Sequence, residues 1–351
     1  MYTWGEGSSG QLGHGNNLSL SEPTLVKALE GLIVSQIFSI AAHSAALTNT
    51  GALYTWGWIG TKDMNNVPLQ VEALRGQRIQ KVALGAYHTA VLLAEEEGSN
   101  SGGRVHTWGF GAKGQLGHGD LLFQAEPKLL EALEDINVVD IFSSESYMAA
   151  LSKEGCVYLW GSNEKGVLSV NVTQSVLSVP SLLTDLSGIV HLACGVSSIA
   201  AVTREGAVFT WGKNSEGQLG HGDEEDTIQP PKQVAKLAGT RIVGLAADNN
   251  YTIAWSDRGQ AFSWGSNRNN RLGIASDDPI RTEPTLIPSL NGKNIIEVSC
   301  SSRTIVACVG KKIFGIPLMK ALEEGDAVPG VIRECISFLM RQCECYQHNP
   351  L

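Results

Sequence analysis

The chain has 351 residues, 43% hydrophobic and 17% charged, with 39 glycines and a net charge of −9. This is the balance of a globular, turn-rich protein rather than a disordered one. Its acidity disfavours nonspecific binding to nucleic acid or anionic membrane, and no uncharged apolar run has the length of a membrane span.

The first residues, MYTWGEGSSG, do not read as a signal peptide, and the seven cysteines show no paired spacing. Both features lead to the expectation of a reducing compartment, cytosol or nucleus.

Trp-Gly begins the pattern at Trp4 and recurs at Trp56, Trp108, Trp160, Trp211 and Trp264, at intervals of 52, 52, 52, 51 and 53 residues. A Gly/Asn-rich loop follows each one, then a proline (Pro23, Pro68, Pro127, Pro180, Pro230, Pro284) and an apolar stretch. Next comes a strand such as HSAALTNTG (His43–Gly51) or SIAAVTREG (Ser198–Gly206), and the unit closes on ALYTWG, RVHTWG, CVYLWG, AVFTWG or QAFSWG. Two short β-forming runs joined by a turn ending in Gly predict a β-hairpin. With no sustained helical period, residues 1–310 read as an all-β array of six units, each the size of a propeller blade. A blade buries its faces only against neighbours, so each Trp is expected to be an apolar plate between blades.

Gly-Gln-Leu-Gly-His-Gly appears in three units: WGEGSSGQLGHGN (Trp4–Asn16), WGFGAKGQLGHGD (Trp108–Asp120) and WGKNSEGQLGHGD (Trp211–Asp223). The matched His14, His118 and His221 raise the question of a metal site. Two other units degrade the loop to KGVLSVN (Lys165–Asn171) and NRLGIAS (Asn270–Ser276), without histidine. The surviving histidines are also a blade or more apart, so the expected role is a turn lock made by hydrogen bonding. The same holds for His43 and His88, whose equivalents are Tyr147, Ser198, Tyr251 and Arg303.

The second unit lacks the loop and regains its length in AEEEGSNSGGR (Ala94–Arg104). That segment reads as a mobile surface loop, with Glu95, Glu96 and Glu97 as candidate partner contacts.

After Gly310 the pattern changes, dividing the chain into a propeller over 1–310 and a tail over 311–351. Val328, Ile332, Cys335, Ile336 and Leu339 recur at helical spacing, predicting a short helical tail. Cys335, Cys343, Cys345 and His348 do not have the spacing of a structural zinc site.

The repeat pattern, most closely GAYHTAVLL (Gly85–Leu93) followed by WGFGAKGQLGHGD, resembles that of the regulator of chromosome condensation family. The resemblance covers residues 1 to about 310 and implies a β-propeller, usually of seven blades. Six units are visible here. Met1–Trp4 either completes the final blade behind RTIVACV (Arg303–Val309), or the chain lacks an earlier blade. The tail FGIPLMKALEEGDAVPGVIRECISFLMRQ (Phe314–Gln342) resembles the opening of a Rho GTPase-activating domain. That family's arginine-finger loop has no counterpart before the chain ends, so no GTPase activation is expected.

No phosphate loop ending in Gly-Lys-Ser/Thr, no G-x-S-x-G elbow and no H-E-x-x-H helix is present, so no catalytic residue, cofactor or metal is expected. The resemblances leave two functions. One is a protein-binding regulatory scaffold within small-GTPase signalling. The other is a guanine-nucleotide exchange factor for a Ran- or Rho-type GTPase, which needs loops rather than reactive side chains.

Overall fold

The computed structural model describes residues 1–59, 64–94, 103–168, 174–223, 226–300 and 305–310. Strands β1 (Tyr2–Gly5) and β2 (Leu20–Leu25) pair as a two-stranded sheet. Five four-stranded antiparallel sheets follow in chain order. They are β3–β6 (Val34–Ile40, His43–Thr48, Leu53–Gly57, Asn65–Gln70), β7–β10 (Ile79–Leu84, His88–Leu93, Arg104–Gly109, Gln124–Leu129) and β11–β14 (Val138–Ser143, Tyr147–Ser152, Val157–Ser162, Val176–Leu182). Next come β15–β18 (Ile189–Cys194, Ser198–Thr203, Val208–Lys213, Thr227–Gln233) and β19–β22 (Ile242–Ala247, Tyr251–Ser256, Ala261–Ser266, Ile280–Leu286). Finally β23 (Asn294–Cys300) pairs with β24 (Ile305–Gly310).

The architecture is a β-propeller with strands for six blades. Five blades are whole, the outer half of another is β1–β2, and an inner half is β23–β24. The compact propeller unit runs over Met1–Cys308 and a second unit over Val309–Leu351. Of the second, only the end of β24 is described. The predicted helix, the Rho-type segment and the tail cysteines lie outside the described residues, as do Glu95, Glu96 and Glu97.

The hairpin read from the sequence is the second and third strand of each blade, with Met148 opposite Trp160 and Ala150 opposite Tyr158 in β12–β13. The fourth strand carries the proline. Lacking an N–H, proline is tolerated at a sheet edge or bulge. The register accommodates it: Leu159 faces Ser181 but Gly161 faces Leu177, so extra residues around Pro180 form a bulge. A single 3₁₀ turn closes most blades and buries one leucine, such as Leu29, Leu74, Leu133 or Leu237.

The core lies between blades rather than within them. One cluster joins Ala193, Ala200 and Val202 of one blade to Leu245, Ala254 and Trp264 of the next. Another joins Leu92 and Val105 to Met148 and Trp160. Each interface therefore buries the face that an isolated blade would leave in water.

The two half-blades stand apart from this pattern. The second strands β4, β8, β12 and β20 are buried along their whole length, whereas β24 alternates and leaves Val306 62% exposed. Trp4 is 58% exposed, which corrects the expectation that every Trp is an inter-blade plate. The reason is local. Among the described residues, β1 is a third strand whose only hydrogen-bonded neighbour is its fourth strand, β2, and nothing pairs β1 with β24.

Candidate functional site

Each residue of the repeated loop has a place in the latch between blades. In Gly-Gln-Leu-Gly-His-Gly all three glycines have positive φ, from 74° to 85° at Gly114, Gly117 and Gly119. The glutamine side chain accepts a hydrogen bond from its own turn, as from Lys113 N–H to Gln115 Oε1 at 2.9 Å. Its backbone carbonyl accepts the indole N–H of the next blade's tryptophan. This bond is Trp56 to Gln11 at 2.7 Å, Trp160 to Gln115 at 3.0 Å and Trp264 to Gln218 at 2.9 Å. In the degraded loop Val167 supplies the carbonyl to Trp211 at 2.7 Å. The leucine of the motif is buried beneath the turn at Leu12, Leu116 and Leu219.

The histidines hold the other side of the loop. Nε2 of His14, His118 and His221 lies 2.9, 2.9 and 3.0 Å from the hydroxyls of Thr3, Thr107 and Thr210. Each threonine hydroxyl also donates to the leucine carbonyl of the motif, at 2.6, 2.7 and 2.7 Å. Burial lowers the His118 pKa and holds that of His221 at about 4, so both rings are neutral near pH 7. Sequence reasoning singled out the histidines and missed the threonine, although the signal was present. Thr-Trp-Gly precedes every complete loop, while the two units with a degraded loop have Leu159 or Ser263 there; the second unit keeps Thr55 although it lacks the loop.

A second contact reaches forward round the propeller, from the first residue of the second strand. His88 Nε2 lies 3.1 Å from both Ser143 Oγ and Met148 Sδ in the following blade, and Tyr147 donates its hydroxyl to Gly195 O at 2.5 Å. Burial lowers the pKa of His43 to about 4, and burial together with the nearby His43 lowers that of His88 to about 3. Both nitrogens of His43 and Nδ1 of His88 lack a hydrogen-bond partner among the described residues.

These groups serve packing. Among the described residues no three His, Cys, Asp or Glu side chains come together in a way that could hold a metal. Burial pushes the thiols of Cys194 and Cys300 up to about 12, so neither is a thiolate nucleophile at neutral pH. Asp248 is raised by burial, opposed by a backbone hydrogen bond at Asn249 and by Arg271, and its neighbours Tyr251 and Cys300 are themselves held protonated, mainly by burial. No described helix is long and apolar enough to cross a membrane.

A Trp-Gly strand latched into the preceding blade's glycine loop defines a Trp-Gly-repeat β-propeller. The chain belongs to the RCC1-like domain family, whose model matches residues 1–307. It is 32% identical over 320 residues to the E3 ubiquitin-protein ligase HERC2 of Homo sapiens, which covers 88% of this chain and 6% of that protein. It is 30% identical over 315 residues to the ultraviolet-B receptor UVR8 of Arabidopsis thaliana, covering 87% of this chain and 69% of the receptor. The fold is shared with yeast RCC1 (Prp20), solved bound to Kap60, at TM-score 0.73 and 21% identity, covering 93% of this chain and 79% of the yeast chain.

Proposed function

We propose that the chain is a regulatory propeller that binds a protein partner in small-GTPase signalling, without bond-making chemistry of its own. The observation that carries this is the engagement of the repeat's polar groups in the fold. The Gln carbonyls, Trp indoles, His rings and Thr hydroxyls bond to one another across the latch. Specificity then falls to positions that differ between blades. Yeast RCC1, which shares the fold, is itself seen with a protein bound.

The second reading, nucleotide exchange on a Ran- or Rho-type GTPase, is favoured by the regulator-of-chromosome-condensation pattern and by the Rho-type resemblance of Phe314–Gln342. A nucleotide-release assay separates the two. Ran, Rac, Rho and Cdc42-type proteins are loaded with a fluorescent guanine nucleotide and mixed with the chain. Unchanged release, with binding in a parallel pull-down of the same purified GTPases, supports the scaffold. Accelerated release establishes exchange. We place the protein in the cytosol or nucleus on the strength of its unpaired cysteines, Cys156, Cys194, Cys300 and Cys308, and imaging of a tagged chain tests this.

A further inference from the structure

One backbone contact recurs in all five whole blades and compares their side chains at equivalent places. The residue after Trp-Gly donates its N–H to the residue that precedes the second strand. The pairs are Trp58 to Ala42, Phe110 to Tyr87, Ser162 to Ser146, Lys213 to Ser197 and Ser266 to Asn250, all at 2.8 or 2.9 Å. Three blades make this contact with small, polar or charged side chains, so the fold does not require aromatics there. Two adjacent blades nevertheless place three aromatic rings in a row. Trp58 and Tyr87 meet edge-on with centroids 5.2 Å apart, and Tyr87 and Phe110 with centroids 6.2 Å apart. Tyr87 is 36% exposed, and Trp58 and Phe110 are half-buried.

In the blades on either side, acidic residues stand at or next to the equivalent positions. Glu6 occupies the Trp58 position in the preceding half-blade, is exposed, and lines the same cavity as Ala41. Hydrogen bonds from Ser8 lower its pKa, so it is ionised. On the other side Glu145, also exposed, precedes Ser146, which is the residue equivalent to Tyr87 in the next blade. Aromatic rings between carboxylates suit a guanidinium, which stacks on a ring while pairing with an acid. The fold already contains one such stack, with the Arg271 guanidinium 5.6 Å from the Tyr251 ring centroid. The chain's net charge of −9 favours the same sign of partner.

We propose that Trp58, Tyr87 and Phe110 form a docking platform for an arginine-bearing segment of a protein partner, with Glu6 and Glu145 as countercharges in the flanking blades. This rests on the protein-binding function above and specifies where and by what chemistry the partner is held.

The test is fluorescence anisotropy of the full chain with a fluorescein-labelled Arg-Gly-Ser repeat peptide, and with versions carrying Lys or Gln in place of Arg. The repeat supplies the variants: Trp58→Ser, Tyr87→Ser and Phe110→Ser introduce the residue that the β11–β14 blade uses, without changing net charge. Saturable binding of the arginine peptide is expected, about tenfold weaker in the triple-serine variant. Tyr87→Ser alone, at the most exposed of the three positions, is expected to show a smaller loss in the same direction and guards against misfolding of the triple variant. Glu145→Gln should weaken binding about threefold and flatten its salt dependence. Equal binding by the wild type and the Tyr87→Ser and triple-serine variants overturns the proposal, as does equal affinity for the Gln peptide or no saturable binding. A GTPase or other purified partner that binds wild type and triple-serine chains alike would overturn the platform while leaving the protein-binding function intact.

Discussion

The indole N–H of Trp264 and the hydroxyl of Thr252 both donate to the main-chain carbonyl of Gln218, at 2.9 and 3.0 Å, so one carbonyl ties two strands of the following blade to the loop before it. The apolar ring and the N–H are separable. Trp264→Phe should cost about 1–2 kcal/mol through the lost bond, and Trp264→Ala or Trp211→Ala about 3–5 kcal/mol. Trp4 is mostly exposed, so Trp4→Ala should cost about 1 kcal/mol or less. Urea unfolding of the four variants checks the order. A loss at Trp4 equal to that at Trp211 would mean that Trp4 is covered in solution.

Thr107 and His118 form one unit with the Leu116 carbonyl. His118→Ala and Thr107→Val should each cost about 1–2 kcal/mol. In a double-mutant cycle the pair should couple by about 1 kcal/mol. Added zinc should leave the melting temperature of wild type and variant unchanged. Stoichiometric zinc binding lost in His118→Ala would assign the ring a different role.

Two glycines separate backbone strain from crowding. Gly31 has φ +82° with nothing within 4 Å of an added Cβ. Gly117 has φ +81° and would set that Cβ 2.9 Å from Trp160 Nε1. Gly31→Ala should therefore cost about 1–2 kcal/mol, from the left-handed conformation alone. Gly117→Ala should cost about 1–3 kcal/mol more, because the tryptophan must move. Thermal melts of both variants measure the difference.

Acid should weaken the fold through His43 and His88. Burial lowers their pKa values to about 4 and about 3 from an ordinary 6.5, so below pH 6.5 the unfolded chain binds protons that the folded chain refuses. Their contribution is complete above about pH 6.5 and is lost as pH falls toward 4 and 3, by up to ~1.4 kcal/mol per pH unit for each ring. Urea midpoints between pH 7 and pH 4 should fall less steeply in His43→Ser/His88→Ser, where serine is the residue used at Ser198. An unaltered slope would place the acid sensitivity elsewhere.

The sequence disclosed what repeats. The Trp-Gly interval, the hairpin of second and third strands and the glycine loop all follow from a period near fifty residues and from turn chemistry. Contacts that join distant positions stayed hidden. Trp160 meets the carbonyl of Gln115, and a backbone acceptor leaves no mark on residue identity. The fourth strand was masked by its proline, which reads as a loop until the bulge around Pro180 is seen. Trp4 looked like its five counterparts because burial depends on what pairs with β1, which a repeat pattern does not record. The row of Trp58, Tyr87 and Phe110 stood in plain view as departures from the repeat, but only the shared backbone bond aligns them across blades.

The tryptophan latch also gives the propeller a direction of dependence. Each indole proton is received by the blade before it, so every blade from Trp56 to Trp264 with this bond is a tenant of its predecessor. Fraying from the β1–β2 side strips Trp56 of the Gln11 carbonyl, whereas fraying from the β23–β24 side orphans none of these indole protons. For the indole bonds the loss is one-sided, as a row of overlapping tiles lifts from one end and holds at the other.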